Sequence, residues 1–429
     1  MQINGFSKLS KKDKITWLLK TYLNNDKTAK KVLYQYWHDD EQLQKLHDGF
    51  IENTITNFYL PYGIAPNFLI DGRTYAVPMV TEESSVVAAA SKAAKFWMER
   101  GGFKTTVLGT TKIGHVHFTY DGQTSELINF FRKNRQNILD AITPIQESMQ
   151  KRGGGVLDLN LIDKTNEIDH YYQIEFKFDT ADAMGANFIN SVLEEAADTL
   201  TALAKNQLKG QLTILMSILS NYTPDCKVKA EVHCAITDLA TADMSGDTYA
   251  QKFIKAIEVA EKEPYRAVTH NKGIMNGIDA VVIATGNDFR AVEANAHAYA
   301  SKDGYYTSLS HAKIEGDCFY FWIEIPLAVG TVGGITGIHP LVQFSLQLLQ
   351  KPSAKKLMGI IAATGLAQNF AAVNSLITSG IQQGHMKMHL NNLLNFLKAN
   401  EAERQLAEDY FKDKKVSFSE LKKLLKRDS

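Results

Sequence analysis

The chain has 429 residues, 45% of them hydrophobic and 22% charged, which is more than one core usually accommodates and predicts two or three lobes. Lys plus Arg and Asp plus Glu balance at 47 each, so no overall field holds the protein on nucleic acid or an anionic membrane, and any anionic ligand must be met locally. Cys226, Cys234 and Cys318 are odd in number and lack metal-ligand spacing, which argues against a disulfide framework and a zinc site and fits a reducing compartment.

The N-terminus, MQINGFSKLSKKDK, is charged without an apolar stretch behind it, and the longest apolar run, Ile325 to Val342, is broken by glycines and prolines. A cytoplasmic protein with no membrane segment is expected. Ile15, Leu18, Leu19, Tyr22 and Leu23 recur at helical spacing, and Lys30 to Leu46 continues in that style. Tyr59 to Val80 reads as turns and short strands. Ser84 or Ser85 then caps an Ala-rich helix that Gly101 and Gly102 stop.

From Thr105 the pattern changes to a strand (Thr105 to Tyr120), a helix (Ser125 to Lys151), two strands (Val156 to Ile162 and Tyr171 to Phe178), a helix (Asn187 to Leu208) and a strand (Gln211 to Ile218). In the third strand Tyr172, Ile174, Phe176 and Phe178 alternate with Gln173, Glu175 and Lys177, the mark of an antiparallel strand with one buried face. The β-α-β-β-α-β order predicts a small ferredoxin-like domain inserted in a larger one. Lys227 to Ile236 alternates again and returns to the large domain. Asn391 to Ser429 is charged and helical, with a thin apolar stripe suited to a small cap.

No GxGxxG follows a strand, and neither GxxxxGK[ST] nor GxSxG occurs, so Rossmann, P-loop and α/β-hydrolase readings lack support. Gly153 to Gly155 follow a helix and precede a strand, the reverse of a phosphate-binding turn, and read as a connector. Four segments join glycines to reactive side chains. Thr81 to Ser85 opens the Ala-rich helix, where acidic residues also suit the macrodipole. Asp182 to Asn187 (DAMGAN) opens another, where Asp182 serves equally as a cap. Pro264 to Asp279, followed by Ala284 to Asp288, reads as a turn-rich stretch too dense in polar groups for a core and so a functional loop. Gly384-His385-Met386 carries a lone histidine.

These residues suggest carbonyl reduction. A fixed ammonium such as Lys272 stabilises the oxyanion that hydride addition creates. A carboxylic acid, Glu83, supplies a proton, and an imidazolium, His385, protonates a departing thiolate.

Glu83 within EESSVVAAAS, DAMGAN at 182 to 187, YRAVTHNKGIMNGID at 265 to 279, ATGNDFRAVEA at 284 to 294, GLAQN at 365 to 369 and GHM at 384 to 386 together resemble the class II, bacterial-type 3-hydroxy-3-methylglutaryl-CoA (HMG-CoA) reductases, over about Glu52 to His389. The resemblance implies a reversible four-electron reduction of HMG-CoA to mevalonate and CoA with NADPH or NADH and no metal, through mevaldyl-CoA and mevaldehyde. It implies that Lys272 polarises the carbonyl, that Asp288 holds Lys272 and Glu83 in a hydrogen-bonded cluster, and that His385 acts from a closing C-terminal flap. Arg266 and Ser85 would bind the substrate carboxylate with Asn276 and Gln368 nearby, and Asp182, Met184, Gly185 and Asn187 would line the cofactor site. It further implies a homodimer with sites between subunits, and an α/β (α+β) fold. In that fold a large substrate domain spans 1–104 and 221–378, a small non-Rossmann cofactor domain spans 105–220, and a helical flap spans 379–429.

Two departures stand out. Threonines occupy Glu52-Asn53-Thr54-Ile55-Thr56 where the family carries valine and glycine. Gln146 occupies the position at which NADH-using members place an acid toward the ribose 2'-hydroxyl, and Lys151-Arg152 follow. Losing a carboxylate there removes repulsion toward a 2'-phosphate, so NADPH is slightly favoured. An acyl-CoA transferase or lyase is the rival enzyme reading, but the cysteines lie outside every reactive segment. A helical interaction protein would leave the Lys272 cluster unexplained.

Overall fold

The computed structural model describes residues 2–378, 390–391, 393–412, 414 and 416–427. The chain forms two compact units, 1–61 and 62–429. The first consists of helices α1 (Lys11–Tyr22), α2 (Lys27–Gln35) and α3 (Glu41–Asp48). Each starts at a short polar side chain that accepts a first-turn N–H: Ser10 from Asp13, Asp26 from Thr28, Asp40 from Gln42 and Leu43. Its apolar interior is thin, with Ile15 and Leu19 as its buried hydrophobic residues and Tyr22, Val32, Ile51 and Phe58 exposed. The two departing threonines have local work: Thr54 Oγ1 donates to the Ile51 carbonyl (2.9 Å) and Thr56 Oγ1 to that of Leu33 (2.7 Å).

The second unit opens with a hairpin, β1 (Tyr62–Ile70) and β2 (Arg73–Val80), turned by Asp71 and Gly72 at φ of 48° and 78°. Two successive positive φ values match the twist of the strands they join. Then follow α4 (Val86–Met98), β3 (Lys104–Val107), β4 (Lys112–Tyr120), α5 (Thr124–Gln150), β5 (Gly155–Asp163), β6 (Tyr171–Asp179), α6 (Ala186–Gln207), β7 (Leu212–Leu219) and β8 (Lys227–Ala235). After these come α7 (Gly246–Lys262), α8 (Pro264–Ala284), α9 (Phe289–Ala300), β9 (Ser310–Glu315), β10 (Cys318–Pro326), α10 (Pro340–Leu348), α11 (Ala354–Ile377), α12 (Glu401–Tyr410) and α13 (Phe418–Leu424).

The strands form two four-stranded antiparallel sheets, ordered β3-β8-β10-β9 and β5-β6-β4-β7. In the second sheet Val116 and Phe118 of β4 and Ile174, Phe176 and Phe178 of β6 turn inward to meet Ile138 and Ile142 of α5 and Val192, Leu193 and Ala196 of α6, making a core of their own. The first sheet belongs to a larger core in which Phe253, Phe319, Phe321 and Phe370 stack edge and face. Leu390, Leu394, Ala407, Phe411, Leu421 and Leu425 form a third, small cluster. Helix α11 is long and apolar enough to cross a membrane, yet 67% of its most apolar window is buried inside the protein, as befits a core helix.

Two expectations need correction. The single strand read over Thr105 to Tyr120 is two strands in different sheets: β3 pairs with β8 and β4 with β6 and β7. The break falls at Gly109, where a Cβ would lie 2.3 Å from the Asp225 carbonyl oxygen. The turn-rich loop read over Pro264 to Asp279 is the first part of α8, one continuous 21-residue helix. Pro264 sits in its first turn and Glu263 accepts the Tyr265 and Arg266 N–H groups. Its Gly277 serves packing instead of turning. A Cβ on Gly277 would meet Gln368 Cβ at 2.8 Å and the Thr364 carbonyl at 2.9 Å, and one on Gly365 would meet Ile278 Cγ1 at 2.7 Å, so α8 and α11 touch nearly backbone to backbone.

Candidate active site

Around that close crossing, the start of α4, the first half of α8 and the second half of α11 enclose a cavity of about 700 Å³. Glu83, Ser85, Arg266, Lys272, Asn276 and Gln368, far apart in sequence, all line it. Ser85 is the residue before α4 and has φ 75°, a left-handed conformation that non-glycine residues seldom adopt outside functional turns. The strained turn brings Glu83 to α8, where Lys272 Nζ donates to Glu83 Oε2 at 2.5 Å. Gly273 is lined up beside this pair, and a Cβ there would meet nothing within 4 Å. Gln368 is 6% exposed, and its Oε1 lacks a hydrogen-bond partner among the described residues. A buried, unsatisfied carbonyl at a cavity wall is suited to a hydroxyl or N–H of a ligand.

Arg266 is half-buried, and desolvation lowers its pKa from the usual guanidinium value. One of its terminal nitrogens donates to His270 Nδ1 at 3.4 Å. His270 Nε2 meets Ser310 Oγ at 2.7 Å, and Ser310 Oγ donates to Asn369 Oδ1 at 2.7 Å. Burial first, then the charges of Arg266 and His311, push the His270 pKa down to about 3, so the ring is neutral.

Among the described residues, Asp288, Asp182, Met184, Gly185, Asn187 and Gln146 do not line this cavity within one chain. Asp288 accepts the Arg290 and Ala291 N–H groups as the cap of α9 and pairs with the Arg290 guanidinium at 3.1 Å. Twelve helical residues separate Lys272 from Ala284, about 18 Å at the rise of an α-helix, so Asp288 lies beyond the far end of α8. The expected Lys272–Glu83–Asp288 cluster is therefore not formed within one chain. Asp182, Met184, Gly185 and Asn187 sit at that far end too. Asn287 Nδ2 donates to the Gly330 carbonyl (3.0 Å), and a Cβ on Gly330 would fall 2.3 Å from Met184 N. His385 lies outside the described residues.

The Asp182 to Asn187 segment has the build of an anion site. Gly185, at φ 93°, precedes the 22-residue α6, whose N-terminus no side chain caps, so its first N–H groups are open to a ligand. A Cβ on Gly185 would strike Thr180 Cγ2 at 2.4 Å. Asp182 does not cap α6; its Oδ1 accepts the Ala354 N–H that begins α11, at 2.7 Å. A cap role was foreseen, on a different helix. Gln146 also needs correction. It is 4% exposed, and its Oε1 accepts the Val156 N–H at 2.8 Å beneath the glycine loop, so its amide does not face a nucleotide. Glu147, Lys151 and Arg152 are among the exposed residues there.

Two supporting residues escaped the sequence reading. Lys112 is buried, and its ammonium donates to Thr180 Oγ1 and to the carbonyls of Ala183 and Met184, the last two at 2.9 Å, so all three N–H groups hold the loop before α6. Burial lowers its pKa. The signal was legible: Lys112 occupies an inward position of β4, in step with Gly114, Val116 and Phe118. His270 stood inside a quoted motif without a role, and only the packing of β9 against α8 shows what it touches.

Comparison with known proteins identifies the family. The family described as hydroxymethylglutaryl-coenzyme A reductase matches residues 13–390. The 3-hydroxy-3-methylglutaryl-coenzyme A reductase of Archaeoglobus fulgidus is 36% identical over 99% of this chain and 94% of its own length. A probable reductase of the same name from Borreliella burgdorferi is 35% identical over 85% of this chain and 81% of its own. The structure of the class II 3-hydroxy-3-methylglutaryl-CoA reductase from Streptococcus pneumoniae bound to NADPH matches with a TM-score of 0.73 at 37% identity, covering 95% of this chain and 99% of that one. With the family matched along most of its length, this chain belongs to the hydroxymethylglutaryl-coenzyme A reductases.

Proposed function

We propose that the protein reduces HMG-CoA to mevalonate and CoA, and that the observation carrying this reading is the Lys272–Glu83 pair in a cavity that also presents Arg266 and the unsatisfied Gln368 carbonyl. A thioester carbonyl seated against Lys272 gains a cationic partner for the charge that develops on its oxygen, and Glu83, entering the step as the carboxylic acid, passes its proton to that oxygen and is left as the carboxylate that pairs with Lys272. Arg266 and Ser85, on the cavity wall, meet the free carboxylate, with Asn276 and Gln368 beside it. A bound nicotinamide would supply the hydride, in two successive deliveries, and Asp182, Met184, Gly185 and Asn187 would hold it together with the first N–H groups of α6. His385, on the resemblance of GHM at 384 to 386 alone, protonates the thiolate of the departing CoA.

The Lys272 and Glu83 side chains are 59% and 41% exposed in a single chain. An ammonium in water is a weak electrostatic catalyst, so the site needs a cover. The half of the site around Asp288 and α6 is about 18 Å or more away along α8. Both facts support a homodimer in which one subunit's Lys272 cavity faces the partner's Asp288 and cofactor loop. The thin interior of residues 1–61 supports the same reading, because two buried hydrophobic residues are too few to hold three helices unaided. The balanced charge and reduced cysteines support a cytoplasmic setting. NADPH is the favoured cofactor: Lys151 and Arg152 are exposed beside the glycine loop, and the S. pneumoniae structure is one bound to NADPH.

The test is oxidation of NADPH and of NADH by the purified protein with HMG-CoA. Two equivalents of cofactor consumed per mevalonate formed, with the larger kcat/KM for NADPH, is the expected result. No oxidation of either cofactor, together with no reverse reaction from mevalonate, CoA and NAD(P)+, would sink the reductase reading. A preference for NADH would overturn the cofactor assignment alone.

A further inference from the structure

Arg266 carries a charge that its own chain aims but does not neutralise. Among the described residues no carboxylate forms an ion pair with it, and the partner it does have is a ring nitrogen. The protons of that contact can be traced. Ser308 Oγ gives its proton to the Ser310 carbonyl (2.7 Å), and Ser310 Oγ gives its own to Asn369 Oδ1 (2.7 Å). Ser310 Oγ is then an acceptor toward His270 Nε2, which must carry the ring proton, and Nδ1 is left with the lone pair that faces the Arg266 guanidinium.

His270, Ser310 and Asn369 are each at most 2% exposed, so no water competes for these bonds. The β9 entrance is fixed in turn by Asn271, the next residue on α8. Its Nδ2 donates to the Thr307 carbonyl (2.8 Å), and its Oδ1 accepts the Leu309 N–H (3.0 Å). The ring therefore has one position and one tautomer.

We propose that His270 is a positioning residue that holds the Arg266 guanidinium toward the cavity as a neutral acceptor, leaving the full cationic charge for an anionic group of the substrate. A carboxylate at this position would hold the guanidinium as well but would cancel its charge, and an apolar residue would leave it free to swing. The inference rests on the reductase reading for the identity of the anion, the free carboxylate of HMG-CoA.

His270→Leu removes the acceptor, His270→Glu neutralises the cation, Ser310→Ala releases the tautomer, and His270→Gln restores an acceptor and a donor in one side chain. The first two are expected to raise KM for HMG-CoA about tenfold or more while kcat falls less than about threefold and KM for the nicotinamide cofactor stays put. Ser310→Ala gives a smaller rise in the same constant, and the Gln variant recovers most of the loss. Calorimetric binding of free 3-hydroxy-3-methylglutarate gives the same ranking without turnover, so a chain inactive as a reductase still tests the positioning. Wild-type turnover reports on the reductase reading, and the ratio of variant to wild type reports on His270. Equal affinity for the dicarboxylate in all variants, or a parallel loss of thermal midpoint and of both KM values that Gln does not rescue, would overturn it.

Discussion

Lys272 and Glu83 come from residues 189 positions apart, yet their contact adds little to stability because both side chains are open to water. Their significance is chemical. The stability-linked carboxylate lies elsewhere on the same helix. Asp279 is largely buried, its Oδ1 has no hydrogen-bond partner among the described residues, and burial, followed by the hydrogen bond and repulsion of Glu293, pushes its pKa from 3.8 up to about 8. Between those values the folded chain keeps a proton that the unfolded chain has lost, so stability declines as pH rises through that window. Asp279→Asn is expected to remove the slope. Its thermal midpoint should match the wild type near pH 4, exceed it by a growing margin to pH 8, and hold that margin above. A constant offset at every pH would show that Asp279 does not titrate in this way.

At the scale of elements, the sequence was most informative where periodicity had one meaning. The alternation of Tyr172, Ile174, Phe176 and Phe178 became β6, and the Ala-rich run became α4, each within a residue or two of its expected ends. It misled where a glycine had two meanings. Gly273 and Gly277, among polar residues, read as turn formers, but Gly277 removes a side chain so that α11 can approach, a tertiary fact no local pattern contains. Gly109 was read through as part of a strand, although the chain leaves one sheet for another there. The motif residues Glu83, Ser85, Arg266, Lys272, Asn276 and Gln368 were legible because their chemistry exceeds any structural need, and the structure brings all six to one cavity. Lys112 was legible only as a charged residue at an inward position of a strand, a signal that does not say which loop its ammonium holds. Gly277→Ala tests the packing argument: a Cβ 2.8 Å from that of Gln368 forces the helices apart. A loss of about 1–3 kcal/mol in denaturant unfolding is expected, with a weaker KM for HMG-CoA as Gln368 moves. A stabilised variant, the usual outcome of Gly to Ala in an open helix, would contradict the close crossing.

Over the whole molecule, the expected chemistry divides between the two ends of α8. Lys272, Glu83 and Arg266 attend one cavity, while Asp288, Gly185 and the start of α6 gather beyond Ala284. The proposed two-subunit site would unite them without moving either. The claim is tested most directly by mixing two inactive variants. Lys272→Ala disables one half, and Asp288→Asn disables the other while keeping a side chain that caps α9 as well as Asp does. The account predicts that each variant alone lacks turnover and that a mixture refolded or co-expressed together regains about a quarter of wild-type activity, since half of a random mixture is heterodimer and each heterodimer has one intact site of two. A mixture as inactive as its components would contradict it, because every chain would then carry its whole site and its own defect.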